Sequence, residues 1–304
     1  MSALLDIRDL DLWLEARPPQ RLLRRVSLQV APGQIVGLVG ESGAGKTMVS
    51  RVVLGIAPGN ARVTHGTVVF DRRDITHLSE TQRRPLLGRE IAFIPQNPMT
   101  ALNPVERIEP QITDVLRMHL NLDRAAARAR ALALLREVHL REPEKILRQY
   151  PHELSGGMRQ RVLIAIAFAC KPKLVIADEP TTALDVTVQK QILQLIRELQ
   201  RNFGTAILFI THDLGVVAKL CDCVAVMHGG RVLESALAAQ LFANPAHDYT
   251  RALFAATPRF DRPGELLQPI PAALTLRLTE EARALDSAER QPGKWKLGRQ
   301  EYGG

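Results

Sequence analysis

The sequence predicts an α/β fold built around a phosphate-binding loop. Short runs of Val, Ile, Leu and Ala alternate with stretches of helical spacing along the 304 residues. Hydrophobic residues make up 46% of the chain and aromatic residues 4%, so the core must be mainly aliphatic. A complete G-x-x-x-x-G-K-[ST] motif lies between an apolar run at 35–39 and a helical pattern at 48–54. A strand before the motif and a helix after it are the context that this motif requires.

The phosphate-binding loop predicts a nucleoside triphosphate ligand. Its residues are Gly40, Glu41, Ser42, Gly43, Ala44, Gly45, Lys46 and Thr47. The glycines allow backbone N–H groups to curl around phosphate oxygens, and the helix N-terminus adds a partial positive charge. We expect Lys46 to reach the β- and γ-phosphates and the Thr47 hydroxyl to bind Mg²⁺.

Apart from the helical pattern at 48–54, the first third of the chain has the pattern of β-strands, and the middle of the chain has the pattern of helices. The strand-like segments are 4–39, with turns at 17–19 and 31–33, then 67–70 and 91–94. From about residue 109 to 150 the spacing becomes helical, and Asp123 is a candidate N-cap. We therefore expect a helical insertion in this part of the chain.

Strand–helix alternation resumes after the insertion. The expected elements are strands at 174–177, 206–210, 223–227 and 231–234, and a helix at 186–201. Gly229 and Gly230 fit a hairpin turn between the last two strands. From Pro258 the chain is rich in Pro and polar residues; we expect a short helix with Thr279 as its N-cap and a loose end from Gln291 onwards.

Two acids end the apolar strand at 174–177. Carboxylates at the carboxyl end of a buried parallel strand project towards the edge where ligands bind. We expect Asp178 to hold Mg²⁺, directly or through water, and Glu179 to act as the general base that orients the attacking water. A solvated strand end is the alternative, and the upstream Lys46-Thr47 pair argues against it.

Polar residues also follow two other strands. His212 comes just after the strand at 206–210, and Gln96 comes after the strand at 91–94. A single histidine after a strand is more often structural, but here the strand order would put His212 near the γ-phosphate. Gln96 could contact Mg²⁺ or the attacking water and move when the γ-phosphate leaves.

A second anion site is predicted at Ser155. A serine followed by Gly156 and Gly157 at the start of a helix offers a cap hydroxyl, free N–H groups and a helix dipole. As a helix cap alone it would be unremarkable. As a γ-phosphate site in a chain with one phosphate loop, it implies that two chains close on each other's nucleotide.

Composition argues against other partners. The net charge is +8, but the arginines are scattered without aromatic interleaving, so we expect no nucleic-acid surface. The N-terminus has no apolar signal-like region, and the longest apolar run, 162–170, is too short to cross a bilayer. We interpret Cys170, Cys221 and Cys223 as structural thiols.

Over residues 4–258 the chain resembles the ATP-binding subunits of ABC transporters. The motifs occur in the family's order: the phosphate loop at 40–47, the Q-loop at Gln96, the signature at 154–158, the acidic strand end at 174–179, the D-loop at 183–185 and the H-loop at His212. Four further segments resemble the dipeptide, oligopeptide and nickel importers more narrowly. They are 96–104, 155–162, 177–187 and 244–253.

The resemblance implies a P-loop NTPase fold with a RecA-like core. It divides the chain into that core with an antiparallel β subdomain (1–97 and 155–257), an inserted α-helical subdomain (98–154) that meets the permease, and a partly loose C-terminal extension (258–304). ATP and Mg²⁺ are the implied ligands. Ser155, Gly156 and Gly157 would come from the opposite subunit, and Asp185 would lie at the dimer seam. The ring that stacks on adenine would be Trp13, unless Leu14 occupies that strand position.

The implied function is the ATP-hydrolysing motor of an importer for peptides, nickel or a metallophore, or a related small solute. The implied partners are a second ATPase subunit (a paralogue or a second copy), two permease subunits and a periplasmic or extracellular solute-binding protein. The implied location is peripheral, on the cytoplasmic face of the inner membrane. The main alternative is an ABC-type ATPase of a soluble complex, such as one associated with a carbon–phosphorus lyase.

Overall fold

The computed structural model describes residues 2–182, 184–257 and 268–289. The strands are β1 (Leu5–Leu14), β2 (Gln20–Val30), β3 (Ile35–Val39), β4 (Ala61–Phe70), β5 (Arg73–Asp74), β6 (Ile91–Ile94), β7 (Leu174–Asp178), β8 (Ala206–Thr211), β9 (Cys223–His228) and β10 (Arg231–Leu237). The helices are α1 (Lys46–Leu54), α2 (Glu80–Arg83), α3 (Pro98–Ala101), α4 (Ile108–Leu120), α5 (Arg124–Glu137), α6 (Pro143–Arg148), α7 (Gly156–Phe168), α8 (Val186–Phe203), α9 (Leu214–Leu220), α10 (Ala238–Ala243), α11 (Asp248–Ala255) and α12 (Ala272–Glu289). The loose end predicted from residue 291 lies outside the described residues, as does Ala183.

A six-stranded sheet organises the molecule, and it confirms the predicted α/β fold. Its strand order is β10-β9-β3-β8-β7-β6, with every pair parallel except β9 with β10. The carboxyl ends of the four neighbouring parallel strands β3, β8, β7 and β6 therefore lie at the same edge of the sheet. The Gly229-Gly230 hairpin predicted between β9 and β10 is confirmed, with both glycines at positive φ.

Both faces of the sheet are buried at the parallel strands β3, β6, β7 and β8, which explains why these strands read as continuous aliphatic runs. Successive side chains point to opposite faces. In β3, Val36 and Leu38 pack into a core shared with α1 and the second sheet, whereas Ile35 and Val39 pack into a core shared with α7 and α8. The second sheet is antiparallel, in the order β2-β1-β4-β5.

The predicted helical insertion is confirmed between β6 and α7. Helices α4, α5 and α6 pack on one another around a shared core, which includes Ile112, Leu116, Leu134 and Leu135. Asp123 is the N-cap of α5, as predicted, and its carboxylate accepts the Ala126 N–H at 2.8 Å. Across the described ranges, no helix is both long enough and apolar enough to traverse a bilayer.

The predicted start of the C-terminal helix is wrong. The helix begins at Ala272 rather than after Thr279, because Pro271 precedes it and offers its carbonyl to the N–H groups of Leu274 and Thr275. The Thr279 hydroxyl is inside the helix and donates to the Thr275 carbonyl at 2.8 Å. This back-bond to the preceding turn satisfies a threonine in a helix interior and imitates the pattern of a cap.

Removal of the Phe209 ring from the centre of the sheet should strongly destabilise the fold. Phe209 is fully buried in β8, and Phe209→Ala leaves a cavity, so we expect a loss of about 3–5 kcal/mol in the free energy of unfolding. Urea denaturation followed by circular dichroism measures it. Met118→Ala, at a side chain that is 63% exposed, is the matched control and should change little. Equal effects of the two substitutions would contradict the position of β8 in the core.

Candidate functional site

Four neighbouring strand ends bring the predicted site residues to one edge of the sheet. The loop 40–45 follows β3, His212 follows β8, Glu179 follows β7, and Gln96 lies two residues after β6. These residues are far apart in sequence, and the parallel strand order β3-β8-β7-β6 makes them neighbours. This edge is where ligands bind in open parallel sheets.

Glycines shape the phosphate loop, because their backbone conformations are ones that other residues rarely adopt. Gly40 has φ 152°, and a Cβ there would lie 2.1 Å from the Met227 carbonyl oxygen of β9. Gly43, with φ 83°, has open space where its Cβ would be. The loop is therefore packed against the sheet on one side and open on the other, as a cradle for phosphate oxygens requires.

Lys46 lies inside this loop. Its Nζ donates to the carbonyl oxygens of Gly40 at 2.8 Å and Glu41 at 2.9 Å. Burial lowers the pKa of Lys46, against the attraction of Glu179, Asp178 and Glu41. A partly desolvated ammonium surrounded by loop carbonyls is an anion partner held in place before any ligand arrives.

Asp178 and Thr47 form the candidate Mg²⁺ site. Burial raises the pKa of Asp178, and a hydrogen bond from the Thr47 side chain and the charge of Lys46 partly offset this rise. The Thr47 hydroxyl and the Asp178 carboxylate thus interact near the loop. Oxygen donors with one carboxylate fit Mg²⁺, which completes its shell with water and phosphate oxygens.

Glu179 is the most connected side chain at this edge. The Gln96 amide nitrogen and the Thr182 hydroxyl each donate to Glu179 Oε2 at 2.9 Å, and His212 Nδ1 lies 3.0 Å from Oε1. Burial opposes ionisation of Glu179, but the hydrogen bonds from His212 and Thr182 outweigh it, so its pKa is below the ordinary value. The carboxylate is thus held ionised and fixed in orientation.

The backbone of Glu179 is strained. Its φ is 47°, in the left-handed region that residues other than glycine rarely adopt. Strain of this kind costs of order 1–3 kcal/mol and is retained where the surroundings over-determine the position, which is common at functional sites. Here the three hydrogen bonds to the Glu179 carboxylate are the interactions that hold the residue in this conformation.

Thr182 is a site residue that sequence reasoning missed. It lies three residues after Glu179, and the Thr182 N–H donates to the Glu179 carbonyl at 3.3 Å, so a turn returns its hydroxyl to the carboxylate. The sequence signal was the run Glu179-Pro180-Thr181-Thr182, in which a proline and two hydroxyl residues follow the acid.

The second predicted anion site is an exposed helix start. Ser155 caps α7, and its hydroxyl accepts the Met158 N–H at 3.3 Å. A Cβ on Gly157 would lie 2.9 Å from Val188 in α8, so the glycine allows close approach of the two helices. Asp185 caps α8 by accepting the N–H groups of Thr187 and Val188. Among the described residues, no hydrogen bond joins Ser155 to the phosphate loop of the same chain.

Trp13 departs from its expected role as an adenine platform. The side chain is 5% exposed in β1, and the Arg21 guanidinium carbon lies 5.7 Å from the ring centroid. Burial is the physical reason against base stacking, because a stacking ring must present one open face. Leu14, the alternative, is partly exposed at the end of the same strand.

Comparisons with known proteins agree with the family resemblance of the sequence. A family model described as "ABC transporter" matches residues 23–182. The chain is 46% identical over 291 residues, 95% of its length, to 87% of the "Probable peptide ABC transporter ATP-binding protein y4tR" of Sinorhizobium fredii. It is 44% identical over 271 residues, 89% of its length, to 80% of the "Oligopeptide transport ATP-binding protein OppD" of Escherichia coli.

Solved structures show the same architecture. A dimeric post-hydrolysis structure of the ATP-binding cassette MJ0796, bound to ADP and Pi, superposes with a TM-score of 0.69 and 25% identity. The match covers 77% of this chain and 98% of that one.

Loss of the Thr182 hydroxyl should raise the pKa of Glu179. Thr182→Val removes one donor from the carboxylate and keeps the shape of the side chain, whereas Thr182→Ser keeps the donor and is the control. The measurement is an NMR titration of the Glu179 carboxyl carbon in buffer without divalent cations. An unchanged titration in Thr182→Val would show that this hydrogen bond does not hold the charge.

The same variant should alter the pH dependence of stability. Because the folded state lowers the pKa of Glu179, its ionisation stabilises the fold above the unfolded pKa, and this contribution is lost as pH falls through the folded pKa. Thr182→Val reduces the contribution. The difference in urea midpoint between Thr182→Val and the wild type should therefore shrink as the pH falls through the folded-state pKa of Glu179.

Proposed function

This chain belongs to the ABC transporter family, and we propose that it is the ATP-hydrolysing motor subunit of an importer for peptides or a related small solute. The observation that carries the proposal is the Glu179 carboxylate, held ionised by Gln96, Thr182 and His212 beside the loop that contains Lys46. The solute class follows from the names of the relatives, which are peptide and oligopeptide transport proteins. Those names give no support to the nickel alternative.

The loop and its neighbours would hold the nucleotide and its metal. The phosphates would lie in the loop 40–47, with Lys46 against the β- and γ-phosphates and with Thr47 and Asp178 as Mg²⁺ ligands; Gln96 is a further candidate ligand. Bound Mg²⁺ supplies neutralisation of charge on the phosphate oxygens. The Lys46 ammonium has three N–H donors and uses two of them on the Gly40 and Glu41 carbonyls, so the third would reach a phosphate oxygen without rearrangement of the loop.

Glu179 would accept the proton of the attacking water. A lowered pKa keeps the acceptor ionised at neutral pH. His212 on Oε1, and Gln96 and Thr182 on Oε2, would fix the plane of the carboxylate. Gln96 and His212 each come from a different strand end, so each can respond to the presence of the γ-phosphate separately.

The catalytic site would be completed by a second ATPase subunit, either another copy or a paralogue. In this head-to-tail arrangement Ser155, Gly156 and Gly157 of one subunit would close on the nucleotide of the other, and Asp185 would lie at the seam. The support is that Ser155 and Gly156 form an exposed N-terminus of α7, where an anion would be stabilised, and that the similar cassette MJ0796 is dimeric.

The helical subdomain, residues 98–154, would contact two permease subunits. Its surface carries exposed large apolar side chains, including Met99 at 60%, Val105 at 78% and Met118 at 63%. These side chains are the candidate contacts with the permease subunits. The core would comprise 1–97 and 155–257, and 258–304 would form an extension. A solute-binding protein would deliver the solute, and the chain would lie peripherally on the cytoplasmic face of the membrane.

The alternatives find less support. An ATPase of a soluble complex is not favoured, because the relatives described above are named for transport. A nucleic-acid-processing ATPase is not favoured for the same reason, because no relative described above is named for a nucleic-acid function. A metabolic kinase would leave Ser155 and His212 without a role. Purification of the native complex discriminates these, since an importer should co-purify with two membrane-spanning proteins.

Glu179→Gln should uncouple ATP binding from hydrolysis. Gln keeps the shape of the side chain but cannot accept the proton, so we expect turnover to fall by about 10²-fold or more while ATP binding persists. The unhydrolysed nucleotide should also hold two subunits together, which light scattering with ATP measures. Lys46→Ala is the control, and it should lose both ATP binding and ATP-dependent association. Near-wild-type hydrolysis by Glu179→Gln would remove Glu179 as the base.

A further inference from the structure

Tyr249 makes a contact with the phosphate loop that the proposed mechanism does not use. It lies in α11, 208 residues away from Glu41, and its hydroxyl donates to Glu41 Oε2 at 3.0 Å. Tyr249 has no exposed surface and is the largest fully buried side chain among the described residues. Glu41 is the second residue of the loop, and its side chain is 48% exposed.

Tyr249 is held in place from several directions. Its N–H donates to His247 Nδ1 at 3.0 Å, and Glu234 of β10 accepts the N–H groups of Ala246 and His247 at 2.7 and 3.0 Å. The His228 ring, at the end of β9, lies 4.5 Å from the Tyr249 ring between centroids. Contacts with both strands of the β9–β10 hairpin thus hold the start of α11, and they fix the position from which the Tyr249 hydroxyl reaches the loop.

Glu41 links this contact to the lysine of the loop. Its backbone carbonyl accepts from Lys46 Nζ at 2.9 Å and from the Ala44 N–H at 3.2 Å. Its side chain accepts from Tyr249, and His228 Nδ1 lies 3.7 Å from the same carboxylate oxygen. A side chain fixed at its end limits rotation of its own backbone. The Tyr249 hydroxyl thus restricts the carbonyl that positions Lys46.

The loop is also anchored to the hairpin through its backbone. The Gly230 N–H donates to the Ala44 carbonyl at 2.9 Å, and Gly40 packs directly on the Met227 carbonyl. These contacts fix the floor of the loop. The Glu41 side chain lies on the exposed part of the loop. Within the part of the chain that the structure describes, it contacts Tyr249 of α11 and His228 of β9.

We propose that Tyr249 is a positioning residue for nucleotide binding, which acts through Glu41 to hold the phosphate loop in its binding conformation before the nucleotide arrives. The proposal rests on the proposed function, because it assumes that ATP is the ligand of this loop. A preorganised loop binds more tightly because less conformational entropy is lost on binding. The effect belongs to the binding step rather than to the chemical step, which Glu179 serves.

The test is a double-mutant cycle on Tyr249→Phe and Glu41→Ala. Tyr249→Phe keeps the ring and its contact with His228 and removes the hydroxyl alone. We expect the Kd and the KM for ATP to rise about tenfold, with kcat at saturating ATP within about twofold of wild type. Because both substitutions break the same link, the double variant should bind ATP no more weakly than Glu41→Ala. Tyr150→Phe, which removes a hydroxyl in the helical subdomain, is the matched control and should bind as wild type.

Each outcome of the cycle decides between distinct accounts. Wild-type ATP affinity in either single variant overturns the proposal, and so do effects that add in the double variant. An equal loss in kcat and kcat/KM with a lower melting temperature in the absence of nucleotide would show that the hydroxyl merely supports the fold, which also overturns it. Failure of the wild-type chain to bind ATP would instead overturn the proposed function, so the two failures are distinguishable.

Discussion

The site depends on the strand order of one parallel sheet. Strands β3, β8, β7 and β6 are neighbours in that order, and each delivers one polar group or loop to the same edge. No short-range feature of the sequence could bring Gln96, Glu179 and His212 within hydrogen-bond distance, because they are separated by 83 and 33 positions. The aliphatic runs of the strands therefore do two things: they bury both faces of the sheet, and they fix the register that aligns its carboxyl ends.

Burial and hydrogen bonding shift the pKa values of the charged side chains at this edge in different directions. Burial raises the pKa of Asp178 and lowers that of Lys46, so burial disfavours the charged form of both groups. Glu179 differs, because hydrogen bonds overcome the effect of its burial and lower its pKa. A triphosphate with Mg²⁺ would place opposite charges beside Lys46 and Asp178, whereas hydrogen bonds within the protein already favour the ionised Glu179 that accepts a proton. The surroundings of each side chain thus separate the ligand-binding role of Lys46 and Asp178 from the proton-accepting role of Glu179.

The sequence identified what depends on local chemistry. The phosphate loop, the two acids at the end of β7, the Asp123 cap and the Gly229-Gly230 turn all have signals within a few residues, and each has the conformation that those signals indicate. Other features depend on contacts that no local pattern encodes. The donation from Tyr249 to Glu41 spans 208 positions, and the burial of Trp13 involves an arginine on a different strand. Thr279 resembled a helix cap because threonine bonds equally well to the preceding turn of a helix interior.

The central claim is that this edge is half of a site and that Ser155 of a second subunit completes it. Mixing two inactive variants tests it most directly. Lys46→Ala lacks the phosphate contact and keeps Ser155, whereas Ser155→Arg blocks the second anion site and keeps Lys46. Head-to-tail pairing of the two would restore one complete site per dimer, so ATPase activity should appear on mixing and be absent from each variant alone. Full activity of Ser155→Arg by itself, or mixed dimers that form without activity, would contradict the claim.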